Sequence, residues 1–344
     1  MKEITYHESL SIDDRVYIDV RSPLEFAEDH ISGSINIPLF GDDERKEVGT
    51  IYRMAGRDTA IERGTEIVGE KLRELVKSFL PYRERSIVLL CARGGMRSRS
   101  LGSLLDSLGL RVFKLDHGYK GYRRHVLERL KIITAPATLF VLQGLTGSGK
   151  TDIIRNFPWS IDLEEMAGHR SSVFGSIGIV QKSQKRFESL LLDRLRDLQG
   201  APYCLIEGES RKIGDLHIPE TLYGLMAVSP VIYLDTPMER RVDIIFDEYH
   251  PHCDDRNIPA IVESLFPKLG RGTVDHLLEL YRAGHIREFI RIMLEKYYDP
   301  LYRHSLQRKE FIATVHNTST AGAIDELKER MAAYCSQHKD PAHL

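Results

Sequence analysis

A glycine-rich segment ending in a lysine and a threonine constrains the fold of this chain more than any other feature. Residues 144–151 read GLTGSGKT, follow an apolar run at 138–142 (TLFVL) and precede a helical pattern. This is the P-loop spacing in the strand–loop–helix setting that it requires, and the backbone amides of such a loop surround phosphate oxygens. The segment, called the phosphate loop below, predicts an α/β unit that binds a diphosphate or triphosphate. A glycine-rich turn without a ligand is the weaker alternative.

The phosphate loop also indicates which side chains contact the ligand. We expect the diphosphate to be bound by Gly144, Thr146, Gly147, Ser148, Gly149, Lys150 and Thr151. The lysine would neutralise phosphate charge, and the threonine hydroxyl is a candidate ligand for Mg²⁺. Enzymes that hydrolyse nucleotides at such a loop usually carry an acidic residue at the end of a second strand. Asp162 and Glu207 are the expected acidic partners, with Asp235 as a third candidate, and each is equally compatible with a helix cap or a surface charge.

Short apolar runs alternate with helical patterns along the chain, which is typical of parallel α/β sheets. In the first half we expect strands at 15–20, 34–37, 86–90 and 110–115, and helices at 23–30, 59–79 and 98–108. After a break at 131–137, we expect strands at 138–142, 203–206 and 231–234, and helices at 273–294 and 323–334. The predicted domains are therefore 1–132 and 133–344, both α/β, the second ending in a helical part.

Composition limits the location and the partners of the chain. The 344 residues are 42% hydrophobic and 28% charged, with a net charge of −2, so any nucleic-acid contact must be a local basic patch rather than a global field. The amino-terminal residues are polar, and no apolar run approaches the ~20 residues of a membrane span. The four cysteines are widely spaced and are expected to be reduced thiols. We therefore expect a cytoplasmic protein without a membrane partner.

A cysteine at the end of the buried run 86–90 is the second candidate site. Cys91 is followed by Ala-Arg-Gly-Gly-Met-Arg and then by a helical pattern. Backbone amides and a helix amino terminus stabilise a thiolate, and paired glycines let such a loop curl around an oxyanion such as phosphate, thiosulfate or selenophosphate. We expect Cys91 and Arg97 to be catalytic. The loop that binds the oxyanion is expected to comprise Arg93, Gly94, Gly95 and Met96, with Arg99 adding positive charge. A buried structural cysteine is the alternative.

The surroundings of Cys91 resemble rhodanese domains. Residues 19–38 (DVRSPLEFAEDHISGSINIP) are similar to their opening motif, and residues 115–122 (LDHGYKGY) are similar to their closing segment. The resemblance covers about residues 5–130 and implies that Cys91 carries a persulfide or perselenide. The loop from Cys91 to Arg97 is longer than in many sulfur-transferring rhodaneses, and its Cys-x5-Arg length also matches related phosphatases. Leu90 stands where many of those phosphatases have histidine, which mildly favours chalcogen transfer.

The combination of the two domains resembles the tRNA 2-selenouridine synthase family. Further similar stretches lie at 48–52, 162–170, 173–175, 181–184 and 206–210. The resemblance implies a transferase that geranylates the sulfur of wobble 2-thiouridine in tRNA with geranyl diphosphate. It then replaces that sulfur with selenium from selenophosphate. The implied co-substrates are selenophosphate and geranyl diphosphate, with no tightly bound cofactor and with Mg²⁺ as a candidate metal. The sequence does not locate the pocket for the geranyl tail.

Basic stretches at 111–131 and 182–196 are candidate tRNA contacts, and we single out Lys120, Arg123 and Arg124. A solvated helix face explains them equally well. His250, His252 and Cys253 suggest a metal site only weakly, since no second cluster completes it. Two other functions stay open: an ATP-dependent, kinase-like enzyme with a rhodanese module, and a non-catalytic selenium or sulfur carrier.

Overall fold

The computed structural model describes residues 1–133, 138–170, 172–175, 177–249, 257–306 and 309–338, except for the side chains of 303–305. The chain divides into two compact units. The first comprises Met1–Ile132 with Lys185–Asp193, and the second comprises Ile133–Gln184 with Arg194–Leu344. Among the helices of the described ranges, none is long and apolar enough to cross a membrane.

The first unit is built on a parallel sheet. Its strands are β1 Lys2–Ile4, β2 Arg15–Asp19, β3 Ile35–Asn36, β4 Ser86–Leu90 and β5 Val112–Leu115. The order in the sheet is β1-β5-β4-β2-β3, and each neighbouring pair is parallel. Its helices are α1 Tyr6–Ser9, α2 Pro23–Glu28, α3 Asp42–Met54, α4 Arg57–Phe79, α5 Met96–Ser107 and α6 Gly118–Lys131, with a 3₁₀ turn at Leu80–Tyr82.

Strand β4 lies in the middle of this sheet and all five of its residues are buried. A strand covered on both faces reads as a continuous apolar run, which explains the sequence SIVLL. Ile87 and Leu89 on one face pack in a core with Leu101 and Leu105 of α5. This packing places Cys91, the first residue after β4, at the carboxyl edge of the sheet, where parallel α/β folds bind ligands.

The second unit contains another parallel sheet. Its strands are β6 Thr138–Gln143, β7 Ser160–Ile161, β8 Tyr203–Glu207, β11 Val231–Asp235 and β12 Ala313–His316, while β9 Lys212–Ile213 and β10 Leu216–His217 form an antiparallel pair. The sheet order is β12-β11-β6-β8-β7, with parallel neighbours. The phosphate loop thus follows the central strand, and Glu207 ends a strand beside it.

The helices of the second unit are concentrated in its carboxyl-terminal half. They are α7 Lys150–Asn156, α8 Leu163–Ala167, α9 Gln184–Asp197, α10 Glu220–Val228, α11 Met238–Tyr249, α12 Asn257–Ser264, α13 Phe266–Leu269, α14 Arg271–Arg282, α15 Ile286–Met293, α16 Asp299–Leu306 and α17 Thr320–Gln337. A π-helical stretch, Leu294–Tyr298, joins α15 to α16. The middle of α9 belongs to the first unit.

Two parallel α/β sheets followed by a helical part confirm the predicted fold class. The helix predicted at 273–294 is wrong in one respect: it is divided into α14 and α15, because Gly284 adopts a φ of +76° that a continuous helix does not allow. The break predicted at 131–137 lies partly outside the described residues, at 134–137.

Candidate active site

The backbone around Cys91 is held by the segment that follows β5. The carbonyl of Cys91 accepts a hydrogen bond from the amide of Tyr119 (2.9 Å), and that of Ala92 accepts one from the amide of Lys120 (3.0 Å). Gly118 permits this approach, since its φ is +54° and a Cβ there would lie 2.1 Å from the carbonyl oxygen of Cys91. The Cys91 side chain itself is buried, with 2% of its surface exposed. The cysteine is therefore fixed at the base of its loop.

Side chains below the loop fix its shape. The buried Lys114 donates to the carbonyl of Gly94 (2.8 Å) and forms an ion pair with Glu3. Gly94 adopts a φ of +61°, which favours glycine there. The Oγ of buried Ser98, in the first turn of α5, lies 3.2 Å from the Sγ of Cys91. The sulfur thus has a hydroxyl partner that the sequence analysis did not identify as functional.

Arg97 is positioned by an acidic residue. Its guanidinium donates to the carboxylate of Glu25 at 3.1 Å. Burial alone would raise the pKa of Glu25, but Arg97, the backbone amide of Ser22 and Arg45 together outweigh it, and the pKa is lowered. Arg93, Gly95 and Met96 are exposed on the loop. Because Glu25 remains ionised, it orients Arg97 across the ordinary pH range.

The phosphate loop is anchored by side chains from later in the chain. The carbonyl of Ser148 accepts hydrogen bonds from the Thr236 hydroxyl (2.8 Å) and the Asn317 amide (2.7 Å). Arg241 donates to the carbonyl of Thr146 (2.9 Å) and forms a bidentate ion pair with Asp299. The loop conformation is therefore imposed by the fold before any ligand binds.

The polar side chains of the phosphate loop point to its own backbone or to acidic neighbours. Lys150 donates to the carbonyls of Gly144 (2.9 Å) and Leu145 (3.3 Å). The hydroxyl of Thr151 donates to the carboxylate of Glu164 at 3.2 Å. The Ser148 hydroxyl is buried and lacks a hydrogen-bond partner among the described residues. An ammonium whose hydrogen bonds among the described residues go to backbone carbonyls is available to a stronger acceptor such as a phosphate oxygen.

Three glutamates meet beside the phosphate loop. Carboxylate oxygens of Glu164, Glu207 and Glu209 lie within 4.8 Å of one another. Glu207 is 1% exposed, and neither of its oxygens has a hydrogen-bond partner in the described part of the chain. Burial, reinforced by the carboxylates of Glu164 and Asp162, raises the pKa of Glu207 well above its ordinary value. Glu164 and Glu209 were not predicted, because no motif spacing connects them to the loop.

The other two acidic candidates have structural roles. Asp162 caps α8 by accepting from the amide of Glu165 (2.8 Å), and it pairs with Arg155 (3.4 Å). Asp235 is exposed and pairs with His316 at 3.2 Å. Asp162 thus has the helix-cap role that the sequence analysis left open, and its role as an acidic partner of the phosphate loop stays a prediction. Glu207 lies in the position expected for such a partner.

A cavity of about 570 Å³ joins the phosphate loop to an apolar wall. Its polar lining comprises the phosphate loop from Thr146 to Thr151, the carboxylates of Glu164, Glu207 and Glu209, and the further side chains of Asp152, Arg155, Arg170, Ser172, Arg240, Asp247 and Glu248. The apolar side chains that line it include Phe174, Ile177, Ile244, Ile245, Ile258, Phe289, Ile290, Met293 and Leu294, with Tyr281, Tyr298 and Tyr302 among the aromatic ones. The cavity can therefore accept one ligand with an anionic head and an apolar body. Of these residues, the sequence analysis placed only those within 273–294 in a predicted helix. The shared cavity was not predictable, because its lining comes from segments far apart in the chain.

The three predicted tRNA contacts all lie on helix α6, but they differ in exposure to solvent. Lys120 and Arg124 are exposed one helical turn apart. Arg123 is buried, forms an ion pair with Glu188 and donates to the carbonyl of Lys185 at 3.2 Å. The prediction of Arg123 as a phosphate contact is corrected, because its guanidinium is already engaged inside the first unit. His250, His252 and Cys253 lie outside the described residues.

Comparisons with known proteins agree with this two-site arrangement. Residues 5–125 match the model of the rhodanese-like domain, and residues 137–265 match that of the tRNA 2-selenouridine synthase AAA domain. The tRNA 2-selenouridine synthase of Hahella chejuensis is 34% identical, covering 85% of this chain and 86% of its own. The chain belongs to the tRNA 2-selenouridine synthase family.

Other family members match over greater lengths. The tRNA 2-selenouridine synthase of Cupriavidus necator is 32% identical over 92% of this chain and 94% of its own, and that of Pseudomonas syringae pv. tomato is 31% identical over 94% and 98%. A crystal structure of an N-terminal domain from Clostridium difficile 630 is 44% identical and covers 36% of this chain and 98% of its own, with a TM-score of 0.35. The two domain models contain Cys91 and Lys150, whereas the cavity residues of α14 and α15 lie beyond both.

Proposed function

We propose that this chain converts wobble 2-thiouridine in tRNA to 2-selenouridine, first geranylating the sulfur and then replacing it with selenium. The names of the relatives support the overall conversion. The observation that carries the geranylation step is the cavity in which the phosphate loop and an apolar wall meet. Its volume of about 570 Å³ lies within the ~300–1,000 Å³ usual for small-ligand pockets.

In the first step, the phosphate loop binds the diphosphate of geranyl diphosphate and the apolar wall binds its tail. The sulfur of 2-thiouridine attacks the first carbon of the geranyl group, and the carbon–oxygen bond breaks with its electron pair going to diphosphate. The base loses its N3 proton to solvent. Lys150 and the loop amides stabilise the negative charge that grows on the leaving group, which is the main way a fixed polar site lowers a barrier.

In the second step, the loop of Cys91 and Arg97 binds selenophosphate. A selenium nucleophile attacks C2 of the geranylated base, and geranylthiolate leaves. Alkylation prepares this exchange, because it makes the sulfur a better leaving group and the base carbon more electrophilic. The wobble base lies in a single-stranded loop, so it can leave its stack and enter a protein site.

The three-glutamate group fits the candidate metal. Mg²⁺ prefers oxygen ligands and is commonly held by one or two carboxylates together with substrate phosphates. Glu207 supplies a buried carboxylate without a hydrogen-bond partner in the described chain, and Glu164, Glu209 and Thr151 supply further oxygens. When bound there, Mg²⁺ would neutralise part of the diphosphate charge. The residues that would hold it are Glu164, Glu207 and Glu209.

Mass spectrometry of tRNA nucleosides tests the proposal. Purified chain is incubated with 2-thiouridine tRNA and geranyl diphosphate, and selenophosphate is added afterwards. We expect S-geranyl-2-thiouridine to form in the first incubation and 2-selenouridine in the second. Brisk, tRNA-stimulated ATP hydrolysis without geranylation would instead support the kinase-like function, and dependence on a partner protein would support a carrier.

A further inference from the structure

We infer that the sulfur of Cys91 attacks the phosphorus of selenophosphate and becomes transiently phosphorylated, rather than receiving selenium. The inference rests on the proposed function, because it concerns how the second step obtains its selenium nucleophile. It differs from the perselenide that the rhodanese resemblance implies. Three features support phosphorylation: the electron balance of the reaction, the composition of the loop, and the contact between Cys91 and Ser98.

The electron balance favours phosphorus as the point of attack. Selenium in selenophosphate is fully reduced, so converting a cysteine to a perselenide requires either an oxidant or reduction of the phosphorus. Neither is part of the reaction. Attack of the Cys91 thiolate on phosphorus forms a sulfur–phosphorus bond and breaks the phosphorus–selenium bond. The electron pair of that bond goes to selenium, which takes the proton that the Cys91 thiol lost on ionising and leaves as hydrogen selenide anion, and no atom changes oxidation state.

The loop has the features that phosphoryl transfer needs. Seven residues run from the buried Cys91 to Arg97, and α5 begins at Met96, so the unpaired amides of its first turn lie at the end of this segment. Arg97 is the cation that a phosphoryl group would meet, because a guanidinium binds two phosphate oxygens at once. Within the described part of the chain, Glu25 accepts a hydrogen bond from one nitrogen of that guanidinium at 3.1 Å, which leaves other Arg97 donors for phosphoryl oxygens.

Ser98 can donate a hydrogen bond to the Cys91 sulfur both when Cys91 is phosphorylated and when it is dephosphorylated. Its Oγ lies 3.2 Å from the Sγ of Cys91, and both side chains are buried. A hydroxyl at this distance can donate to the sulfur whenever the sulfur is anionic, before it attacks phosphorus and again when water displaces it. Because a hydrogen bond to the anionic sulfur makes it a weaker nucleophile and a better leaving group, Ser98 is expected to assist release of the phosphoryl group more than its capture.

The remaining reaction steps need no reactant other than the geranylated tRNA and water. Hydrogen selenide anion, formed inside the loop, attacks C2 of the geranylated base, and geranylthiolate leaves with the electron pair of the carbon–sulfur bond. Water then hydrolyses the sulfur–phosphorus bond of Cys91, releasing phosphate and restoring the thiolate. The net reaction consumes selenophosphate, geranylated tRNA and water, and it produces selenated tRNA, geranylthiol and phosphate.

Rapid acid quenching of the full-length chain during turnover tests the inference. The peptide that contains Cys91 is analysed by mass spectrometry after mixing with selenophosphate and S-geranyl-2-thiouridine tRNA. We expect the mass of one added phosphoryl group without the isotope pattern of selenium. In Ser98→Ala, turnover should fall while the phosphorylated fraction rises, since dephosphorylation loses its hydroxyl. Cys335→Ser, which changes a cysteine far from the loop in sequence, is the control and should retain the modification.

Other results of this experiment would contradict either the phosphorylation of Cys91 or the proposed function. A selenium isotope pattern on Cys91 would overturn the inference, and so would an unmodified Cys91 in both wild type and Ser98→Ala during active selenation. Phosphorylated Cys91 in a chain that fails to selenate tRNA would support the inference while rejecting the proposed acceptor. The two proposals can therefore fail separately.

Discussion

The side chain of Ile245 lies against Gly147 of the phosphate loop, where a Cβ on the glycine would come within 2.6 Å of Cδ1 of Ile245. Ile244 lies similarly close to Gly149, where a Cβ on the glycine would be 3.2 Å from Cδ1 of Ile244. The apolar wall of the cavity therefore begins directly beside the anion-binding backbone. This adjacency supports the proposal of a prenyl diphosphate ligand, whose apolar chain is attached directly to the diphosphate.

Met293→Phe should change the preference for prenyl chain length. Met293 lines the cavity and is 3% exposed, so a larger, stiffer side chain there removes space for the tail. One methylene more or less in an apolar pocket typically changes specificity ~10- to 200-fold. We expect the rate ratio of geranyl to dimethylallyl transfer to fall by about tenfold, measured on tRNA nucleosides. Leu301→Phe, at an exposed position, is the control. An unchanged ratio would place the tail elsewhere.

Lys150→Ala should abolish most of the geranylation. Lys150 is the cation of the phosphate loop, and losing one donor to a developing charge typically costs ~3–4 kcal/mol, or about 100- to 1000-fold in rate. Selenation of tRNA supplied already geranylated should be unaffected, because that step uses the Cys91 loop. Both half-reactions are measured on the same preparation. Full geranylation by the variant would contradict the assignment of the diphosphate to this loop.

Cys91→Ser should show the opposite pattern. Geranylation takes its sulfur nucleophile from the tRNA, so it should continue and S-geranyl-2-thiouridine should accumulate. Selenation should be lost, because a serine hydroxyl is a much weaker nucleophile than a thiolate. Mass spectrometry of the nucleosides distinguishes the two species. A variant that forms neither would show that the two sites do not divide the reaction in this way.

The two loops could be predicted from the sequence because each is a continuous motif. Contacts between residues far apart in the chain could not be predicted. The phosphate loop and the Cys91 loop are each continuous segments whose glycines and charges have fixed spacing, so their chemistry is legible from one stretch of chain. Glu164, Glu207 and Glu209 come together only because β8 pairs with β6 and α8 packs nearby, which depends on the sheet order. Strand β12, too short and half exposed to give a clear pattern, was missed for a similar reason.

The other differences between prediction and structure arise from burial, which the sequence does not specify. Arg123 and Arg124 are adjacent and chemically identical, yet one is buried against Glu188 and the other is exposed. Helical periodicity assigns them to different faces but does not say that a segment from residues 185–193 covers one of those faces. The cavity poses the same problem, since its apolar lining comes from α11, α12, α14 and α15.

Glu207→Gln should weaken binding of a divalent cation. Losing a direct carboxylate ligand should cost at least the ~10- to 100-fold that loss of an outer-sphere partner costs. Mn²⁺ binding is measured by electron paramagnetic resonance, without substrate or turnover. In metal-free solution near neutral pH the variant should melt at a higher temperature, because the raised pKa of Glu207 means that the wild type must take up a proton or bury a charge on folding, whereas glutamine does neither. The exposed Glu220→Gln is the control. Equal Mn²⁺ affinity in variant and wild type would exclude the site.

Lys120 and Arg124 should contribute to tRNA binding, whereas Arg123 should contribute to stability. The backbone amide of Lys120 bonds to the Cys91 loop, so phosphates held by this patch would place a tRNA beside that loop. Alanine at both Lys120 and Arg124 should weaken tRNA binding and reduce the slope of log affinity against log salt by roughly 1.5 units, for two lost phosphate contacts. Fluorescence anisotropy at three salt concentrations measures both quantities.

Arg123→Ala separates the two roles. Its ion pair with Glu188 is largely buried, with side-chain exposures of 11% and 14%, and breaking such a pair from one side costs up to ~3–5 kcal/mol. Its melting temperature should therefore fall, while the salt slope of tRNA binding stays that of the wild type. A double alanine variant at the exposed Lys77 and Arg83 removes the same charge as the Lys120/Arg124 variant and should alter neither quantity. If it lowers the salt slope equally, binding follows net charge rather than this patch.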